Sequence, residues 1–300
     1  MSGGQGRFAF KRGLRAPPSL DVYWQTTRFR IDLGQPRVMG IVNVTPDSFS
    51  DSGLHATTEA AIAHCERLCE EGAELLDIGG ESTRPGAVAP TADEEHARVM
   101  PVLRHALRLG VPVSVDTRRV TLMREALNAG ADIVNDVNAL RADGAEPLLA
   151  AHTQAGVCLM HMHGEPGTMQ HEPRYDDVVR EVAQFLAQRA QRLRWLGVAA
   201  TRIVLDPGFG FGKTAAHNIE LHRGLPQLIE LGYPVLVGWS RKSTLGTITG
   251  RPVHQRLAAS VAAALAAVQR GARVLRVHDV AATVDALRVW QALQTRTNPS

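Results

Sequence analysis

The sequence predicts an α/β protein built as one (β/α)8 TIM barrel, with an N-terminal extension or hairpin ahead of the first barrel strand. Three observations carry that prediction. Eight short, near-continuously apolar, β-rich runs recur along the chain, which is how strands buried on both faces of a parallel sheet should read. Eight stretches with a helical period of about 3.6 residues alternate strictly with them. The alternation occupies about the 250 residues typical of such a barrel. A doubly wound open sheet is the rival, but it would carry a glycine fingerprint after its first strand. Val44-Thr-Pro-Asp-Ser-Phe-Ser50 is no such fingerprint.

The elements follow in order. Residues 21–36 precede the first barrel strand and read as a hairpin covering the N-terminal face of the barrel. The first run, 38–44, ends at Asn43, and helix 57–71 is closed by Gly72. Run 73–80 carries Asp77 and delivers Glu81-Ser-Thr-Arg84, and helix 92–109 opens on a capping box of Thr91 with Glu94. Run 111–117 ends at Asp116 before helix 119–129, and run 131–137 ends at Asn135 and Asp136 before helix 144–155. Run 156–162 delivers His161 and then His163, followed by helix 176–196. Run 202–208 carries Asp206 before helix 215–231. Run 234–240 leads into Ser240-Arg-Lys-Ser243, where Ser243 opens a short helix, and helix 254–270 follows. Run 272–280 presents Arg276 and His278 before helix 280–293. Gly110, Gly130, Gly156, Gly197, Gly232 and Gly271 are each expected to stop a helix as Gly72 does.

Composition narrows the class. A hydrophobic content of 44% over 300 residues supports a sizeable core. The formal charge is +3, with arginines scattered and no basic cluster interleaved with aromatics, which argues against nucleic acid. No run approaches the roughly 18 apolar residues of a membrane span. Residues 1–20 hold four Lys/Arg and no acid, with Gly3, Gly4, Gly6 and Pro17-Pro18, and read as a flexible tail ahead of a catalytic domain at 21–296. Cys65, Cys69 and Cys158 have no metal-ligand spacing and read as buried reduced thiols of a cytoplasmic protein.

In barrels of this kind the active site is built from the loops after the strands. Polar residues at the ends of all eight apolar strands are costly to bury, and packing alone does not explain such a set. Asp116, Asn135 and Asp206, with Lys242, suit a flat, amide-rich heterocycle, because a carboxylate accepts two parallel hydrogen bonds from an amidine-like edge. Asn43, Arg276 and His278, with Thr83 and Arg84 on a loop, suit an anion. Two other motifs are weaker. Asp206-Pro-Gly-Phe-Gly-Phe-Gly-Lys-Thr214 fails the phosphate-loop spacing because Pro207 stands where the first glycine belongs, so its glycines read as allowing close backbone approach beside Asp206. His161-Met-His163 has the spacing of some barrel zinc hydrolases but lacks further ligands at other strand ends.

These segments resemble the dihydropteroate synthase family. Met39-Gly-Ile-Val-Asn-Val-Thr-Pro-Asp-Ser-Phe-Ser-Asp51 and Asp77-Ile-Gly-Gly-Glu-Ser-Thr-Arg-Pro-Gly86 are similar to its two signature loops. Ser114-Val-Asp-Thr117, Asn135-Asp-Val137, Asp206 through Lys213, Ser240-Arg-Lys-Ser243 and Arg276-Val-His-Asp279 match the remaining motifs in order, over about residues 22–293. The resemblance implies condensation of dihydropterin pyrophosphate with p-aminobenzoate in folate synthesis, in a homodimer, with sulfonamides competing as mimics of p-aminobenzoate. It further implies that Asp116, Asn135, Asp206 and Lys242 hold the pterin, with Met160 and Phe211 near it. Asn43, Arg276 and His278 would bind the pyrophosphate, with Mg2+ coordinated through Asn43. Thr83 and Arg84 would close over p-aminobenzoate, and Ser243 would meet its carboxylate. Asp116, Lys242, Arg276 and His278 are thereby the catalytic candidates. His163 and Ser52 depart from the family pattern, which commonly has Gln and Gly there. A pterin-binding methyltransferase domain and a non-catalytic pterin-binding paralogue are the alternatives.

Overall fold

The structure, a computed structural model, describes residues 22–45, 53–82, 89–164, 169 and 173–294. The expected tail at 1–20 and the loop residues Thr83 and Arg84 lie outside the described residues. The chain opens with β1 (Tyr23–Gln25) and β2 (Arg30–Asp32), then β3 (Arg37–Asn43), α1 (Gly53–Glu70), β4 (Leu75–Gly79) and α2 (Ala92–Ala106). Next come β5 (Val113–Asp116), α3 (Val120–Ala129), β6 (Ile133–Asp136), α4 (Ala145–Ala151), β7 (Gly156–Met160) and α5 (Val178–Trp195). The chain ends with β8 (Ile203–Asp206), α6 (Ala215–Arg223), α7 (Leu225–Ile229), β9 (Leu236–Val237), α8 (Ser243–Thr249), α9 (Leu257–Gln269), β10 (Val274–Val277) and α10 (Val280–Gln294).

Strands β3 to β10 pair in parallel in the order β8-β7-β6-β5-β4-β3-β10-β9. An isolated parallel bridge, Leu205 to Val235, brings β8 against the segment leading into β9 and closes the barrel. The expected strands are all present; β3 matches its apolar run in length, shifted by one residue, and the others are shorter than theirs. The extreme case is β9, where Pro234 has no N–H to give and residues past Val237 leave the ladder. Two further expectations are corrected. Helix 215–231 is broken into α6 and α7, since Pro226 sits in the first turn of the second piece and cannot continue the first. Gly156 does not stop a helix: α4 already ends at Ala151, and Gly156 opens β7. A Cβ there would meet Trp24 Nε1 at 2.9 Å and the Gln25 carbonyl at 3.2 Å, so close approach explains this glycine. The Thr91–Glu94 capping box is present in full.

That contact belongs to the expected hairpin. β1 and β2 pair antiparallel through Trp24 and Ile31. Trp24, Ile31 and Leu33 pack on Met39, Leu75, Ile133, Cys158, Val204, Leu236 and Val274, the inward residues at the strand starts. Trp24 is fully buried and its indole N–H donates to the Arg202 carbonyl at 2.9 Å. Arg28 closes the rim by a bidentate bond to Asp132, whose carboxylate also accepts the Arg28 and Val113 backbone N–H groups. The lower barrel is therefore filled largely by apolar side chains, and the larger core lies between strands and helices. All three cysteines are free, and burial pushes the Cys65 thiol up to about 12, out of reach of thiolate chemistry at neutral pH. Among the described residues no helix is long and apolar enough to cross a membrane.

This plug gives a stability prediction. Trp24→Ala empties a buried site that collapse cannot refill, and should cost about 3–5 kcal/mol in urea unfolding. A loss below about 1 kcal/mol would mean the hairpin merely rests on the barrel.

Candidate active site

Parallel strands place all their C-terminal ends at one end of the barrel, opposite the hairpin. A cavity of about 690 Å³ opens there, and Asn43, Asp116, Asn135, Met160, Asp206, Phe211, Lys242, Ser243, Arg276 and His278 all line it. The structure thus brings together every expected site residue that is described.

At the floor lies a buried ion network. Arg276, on β10, donates from Nε to Asp77 Oδ2 at 2.6 Å and from Nη2 to Asp116 Oδ2 at 2.7 Å. Asn135 Nδ2 donates to the same Asp77 oxygen at 3.0 Å. Asp77 is fully buried and does not line the cavity, so it acts on the site through the two side chains it holds. The sequence separated a heterocycle-binding set containing Asp116 from an anion-binding set containing Arg276; the structure joins them through one guanidinium. Two of the five N–H donors of that guanidinium are used on carboxylates, which leaves three. Burial, then the like charge of Asp77, push the Asp116 carboxyl up to about 7, with Arg276 opposing the shift. For Arg276 burial works against the charge, but Asp77 and Asp116 outweigh it and hold the guanidinium above its ordinary value.

The opposite wall is formed after β8 and β9. Asp206 accepts the Gly208 N–H at 2.7 Å, and burial pushes its carboxyl up to about 6. Lys242 places its ammonium 4.0 Å from the centre of the Phe211 ring, a cation–π contact. Burial, then Arg276, bring its amine down to about 8. The turn that aims Lys242 inward is held at Arg241, which takes φ +60. Its N–H donates to Ser260 Oγ at 3.0 Å, and its guanidinium pairs with Asp279 at 2.6 Å. Arg256 donates to the Arg241 carbonyl at 3.1 Å and so clamps the same turn from outside. Ser243 opens α8, as expected.

His278 closes the third side. Its backbone N–H donates to Ser240 Oγ at 3.1 Å, and the same hydroxyl lies 3.0 Å from its Nδ1. Burial, then Arg241 and Arg276, push the imidazole down to about 3, so it is neutral at pH 7 and meets a ligand as a hydrogen-bonding ring. Sequence reasoning missed three supports. Asp77 carried the same strand-end signal as Asp116 but was assigned no part in the site. Ser240 was read only as part of a loop motif, and Arg256 sits among other surface arginines with nothing to mark it.

His161 and His163 follow β7 rather than lying on it. His161 is buried against Lys213, and His163 packs against Tyr175 with ring centroids 5.6 Å apart, away from the residues that line the cavity. Among the described residues no group of three or more His, Cys, Asp or Glu side chains is placed to hold a metal.

The raised carboxyls give a signed prediction. A carboxyl near 3.8 unfolded and about 7 folded favours the folded state below its unfolded value, and that contribution is lost as pH rises through the folded one. The unfolding free energy of Asp116→Asn relative to wild type should therefore shift in favour of the variant between about pH 4 and about pH 7. A pH-independent difference would contradict the assignment.

The chain that builds this cavity is similar to known proteins. The sequence profile of the family described as "Pterin binding enzyme" matches residues 39–278. Dihydropteroate synthase of Neisseria meningitidis serogroup B is 55% identical over 276 residues, covering 90% of this chain and 97% of that protein. The structure of Xanthomonas albilineans dihydropteroate synthase with 4-aminobenzoic acid superposes with a TM-score of 0.86 at 54% identity, over 92% of this chain and 99% of that one. The same enzyme in complex with 7,8-dihydropteroate gives a TM-score of 0.81 at 53% identity, over 89% of this chain and 96% of that one. On its motifs, its barrel and these relatives together, the chain belongs to the dihydropteroate synthase family of pterin-binding enzymes.

Proposed function

We propose that this chain condenses 6-hydroxymethyl-7,8-dihydropterin pyrophosphate with p-aminobenzoate, giving 7,8-dihydropteroate and pyrophosphate in folate biosynthesis. The observation that carries the residue roles is the Arg276 clamp, with carboxylates on one side of the guanidinium and spare donors on the other. In this reading Asp206, Asn135 and Asp116 take the donor edge of the pterin ring, and Lys242 takes an acceptor of the ring. Met160 and Phe211 supply apolar contact. The spare Arg276 donors and the neutral His278 ring bind the pyrophosphate.

The residues present fit Mg2+ only in a particular way. Asn43 offers one neutral oxygen at the cavity wall, which suits an ion that keeps most of its waters and binds chiefly to substrate phosphates. Bound there, it would neutralise charge on the leaving pyrophosphate.

In the reaction the C–O bond to pyrophosphate breaks and its electron pair leaves with the phosphate oxygen. Arg276 and His278 stabilise that departing charge, and Asp116 faces the cationic pterin left behind. The arylamine nitrogen then bonds to the exocyclic carbon and releases one proton. An arylamine is already nucleophilic, so the absence of a general base in the clamp is no obstacle. Thr83 and Arg84, on the loop after β4, are proposed to close over p-aminobenzoate, with Ser243 at its carboxylate.

A homodimer is proposed through α9, which buries only Ser260, Ala264, Ala267 and Val268 within its own chain, while its first residue Leu257 and the preceding Ile248 and Val253 stand exposed.

The reaction is tested by supplying Mg2+ with dihydropterin pyrophosphate alone, p-aminobenzoate alone, or both. Pyrophosphate release that needs both, with dihydropteroate formed, is expected. Pterin binding without release would favour a methyltransferase-type or non-catalytic pterin protein.

A further inference from the structure

Two residues with no part in the chemistry above, Lys213 and His161, meet one another in the fold. Lys213, last residue of the glycine-rich segment after β8, is only 3% exposed. Its Nζ donates to the carbonyls of Gly208 and Phe211, each at 3.0 Å, and of His161 at 3.3 Å. It also lies 2.9 Å from His161 Nδ1. Burial, opposed by the Asp206 charge, brings the Lys213 amine down to about 7. In its ammonium form it has no lone pair, so Nδ1 then accepts and His161 is a neutral ring carrying its proton on Nε2. His161 is itself buried and packs edge-on to Phe185, with centroids 5.0 Å apart. Burial, then the Lys213 charge, push its imidazole down to about 2, consistent with that neutral form.

Three carbonyls and an imidazole around one ammonium make a cation nest. Its geometry depends on the glycines: Gly208, Gly210 and Gly212 take φ of +68, +79 and +60, and the alternation turns the carbonyls of Gly208 and Phe211 inward. A Cβ on Gly208 would strike the His161 carbonyl, so the loop lies against residues 161–163 only because that position is bare. The two phenylalanines between the glycines face elsewhere. Phe209 stacks on Trp239 at 4.3 Å, and Phe211 lies against the Lys242 ammonium. Asp206, Phe209, Gly210 and Phe211 line the cavity; Lys213 and His161 do not.

We infer that Lys213, capped by His161, is a positioning residue for the pterin pocket: an internal cation that fastens residues 207–213 so that Phe211 and Asp206 stand where the ring is held. The inference rests on the pterin reading of the cavity. A buried ammonium is costly to keep, and packing alone would be served as well by an apolar side chain. Its retention is explained if the loop needs a convergent donor that no apolar residue supplies.

The test uses Lys213→Met, which keeps length and apolar fit but removes the donors. The folded variant should bind 6-hydroxymethylpterin at least about tenfold more weakly, as expected for lost hydrogen bonds from a buried charge. The KM for dihydropterin pyrophosphate should rise with it, while the KM for p-aminobenzoate stays within about twofold. Lys213→Ala should regain pterin affinity in propylammonium chloride and not in sodium chloride of equal ionic strength. If Lys213→Met does not fold, His161→Phe, which removes one acceptor and leaves three carbonyls, should weaken pterin binding in the same direction. Wild-type pterin affinity in folded Lys213→Met, or in His161→Phe where that variant must serve, overturns the inference alone. Failure of the wild-type protein to bind 6-hydroxymethylpterin overturns the pterin reading beneath it.

Discussion

One guanidinium sets the terms for the active end of this barrel. Arg276 lies between Asp77 and Asp116, and Asn135 shares the Asp77 oxygen, so side chains from β10, β4, β5 and β6 are tied at a single point. Two carboxylates against one cation leave the floor short of positive charge. Burial, reinforced by the like charge of Asp77, pushes the Asp116 carboxyl up to about 7, and the shortage of positive charge suits a cationic ring beside it. Such a network seldom adds net stability, because desolvation offsets most of the attraction, and removing one partner would strand a buried charge. Its value lies in orientation: the guanidinium plane is fixed before any ligand arrives, with three donors still to give.

The two ends of the barrel divide the work. At the strand starts the hairpin drives Trp24 into an apolar layer and excludes water, so this end supplies burial. At the strand ends that layer gives way to Asp77, Asp116, Asn135, Asp206 and Arg276, which are tolerable only because each is bonded to a neighbour or faces the cavity. The apolar layer beneath also lowers the local dielectric, which strengthens every charge interaction above it. The same environment keeps His278 neutral and brings Lys242 down to about 8.

Much of this was legible in the sequence because it depends on period and position. Continuous apolar runs gave the eight strands, and polar residues at their ends gave the cavity lining. What escaped depended on contacts between distant segments. Gly156 looked like a helix stop because a glycine after an apolar helical stretch usually is one, and only the packing of Trp24 from far upstream explains it. The break between α6 and α7 was carried by Pro226, whose effect was masked by a helical period running through it. Asp77 and Asp116 are indistinguishable as strand-end carboxylates, yet one lines the cavity and the other lies behind it. Lys213 was read against a phosphate loop it does not form, and no linear pattern announces that its partner is His161.

The central claim is that Arg276 acts as a fixed planar fork and not merely as a positive charge. Its most direct test is calorimetric titration of inorganic pyrophosphate into wild type, Arg276→Lys and Arg276→Gln, each first shown to be folded. Lysine keeps the charge but cannot hold two carboxylates while presenting further donors in one plane. The account predicts that Arg276→Lys loses pyrophosphate affinity by about tenfold or more, close to the loss in Arg276→Gln. Affinity in Arg276→Lys equal to wild type would show that charge alone suffices, and would contradict it.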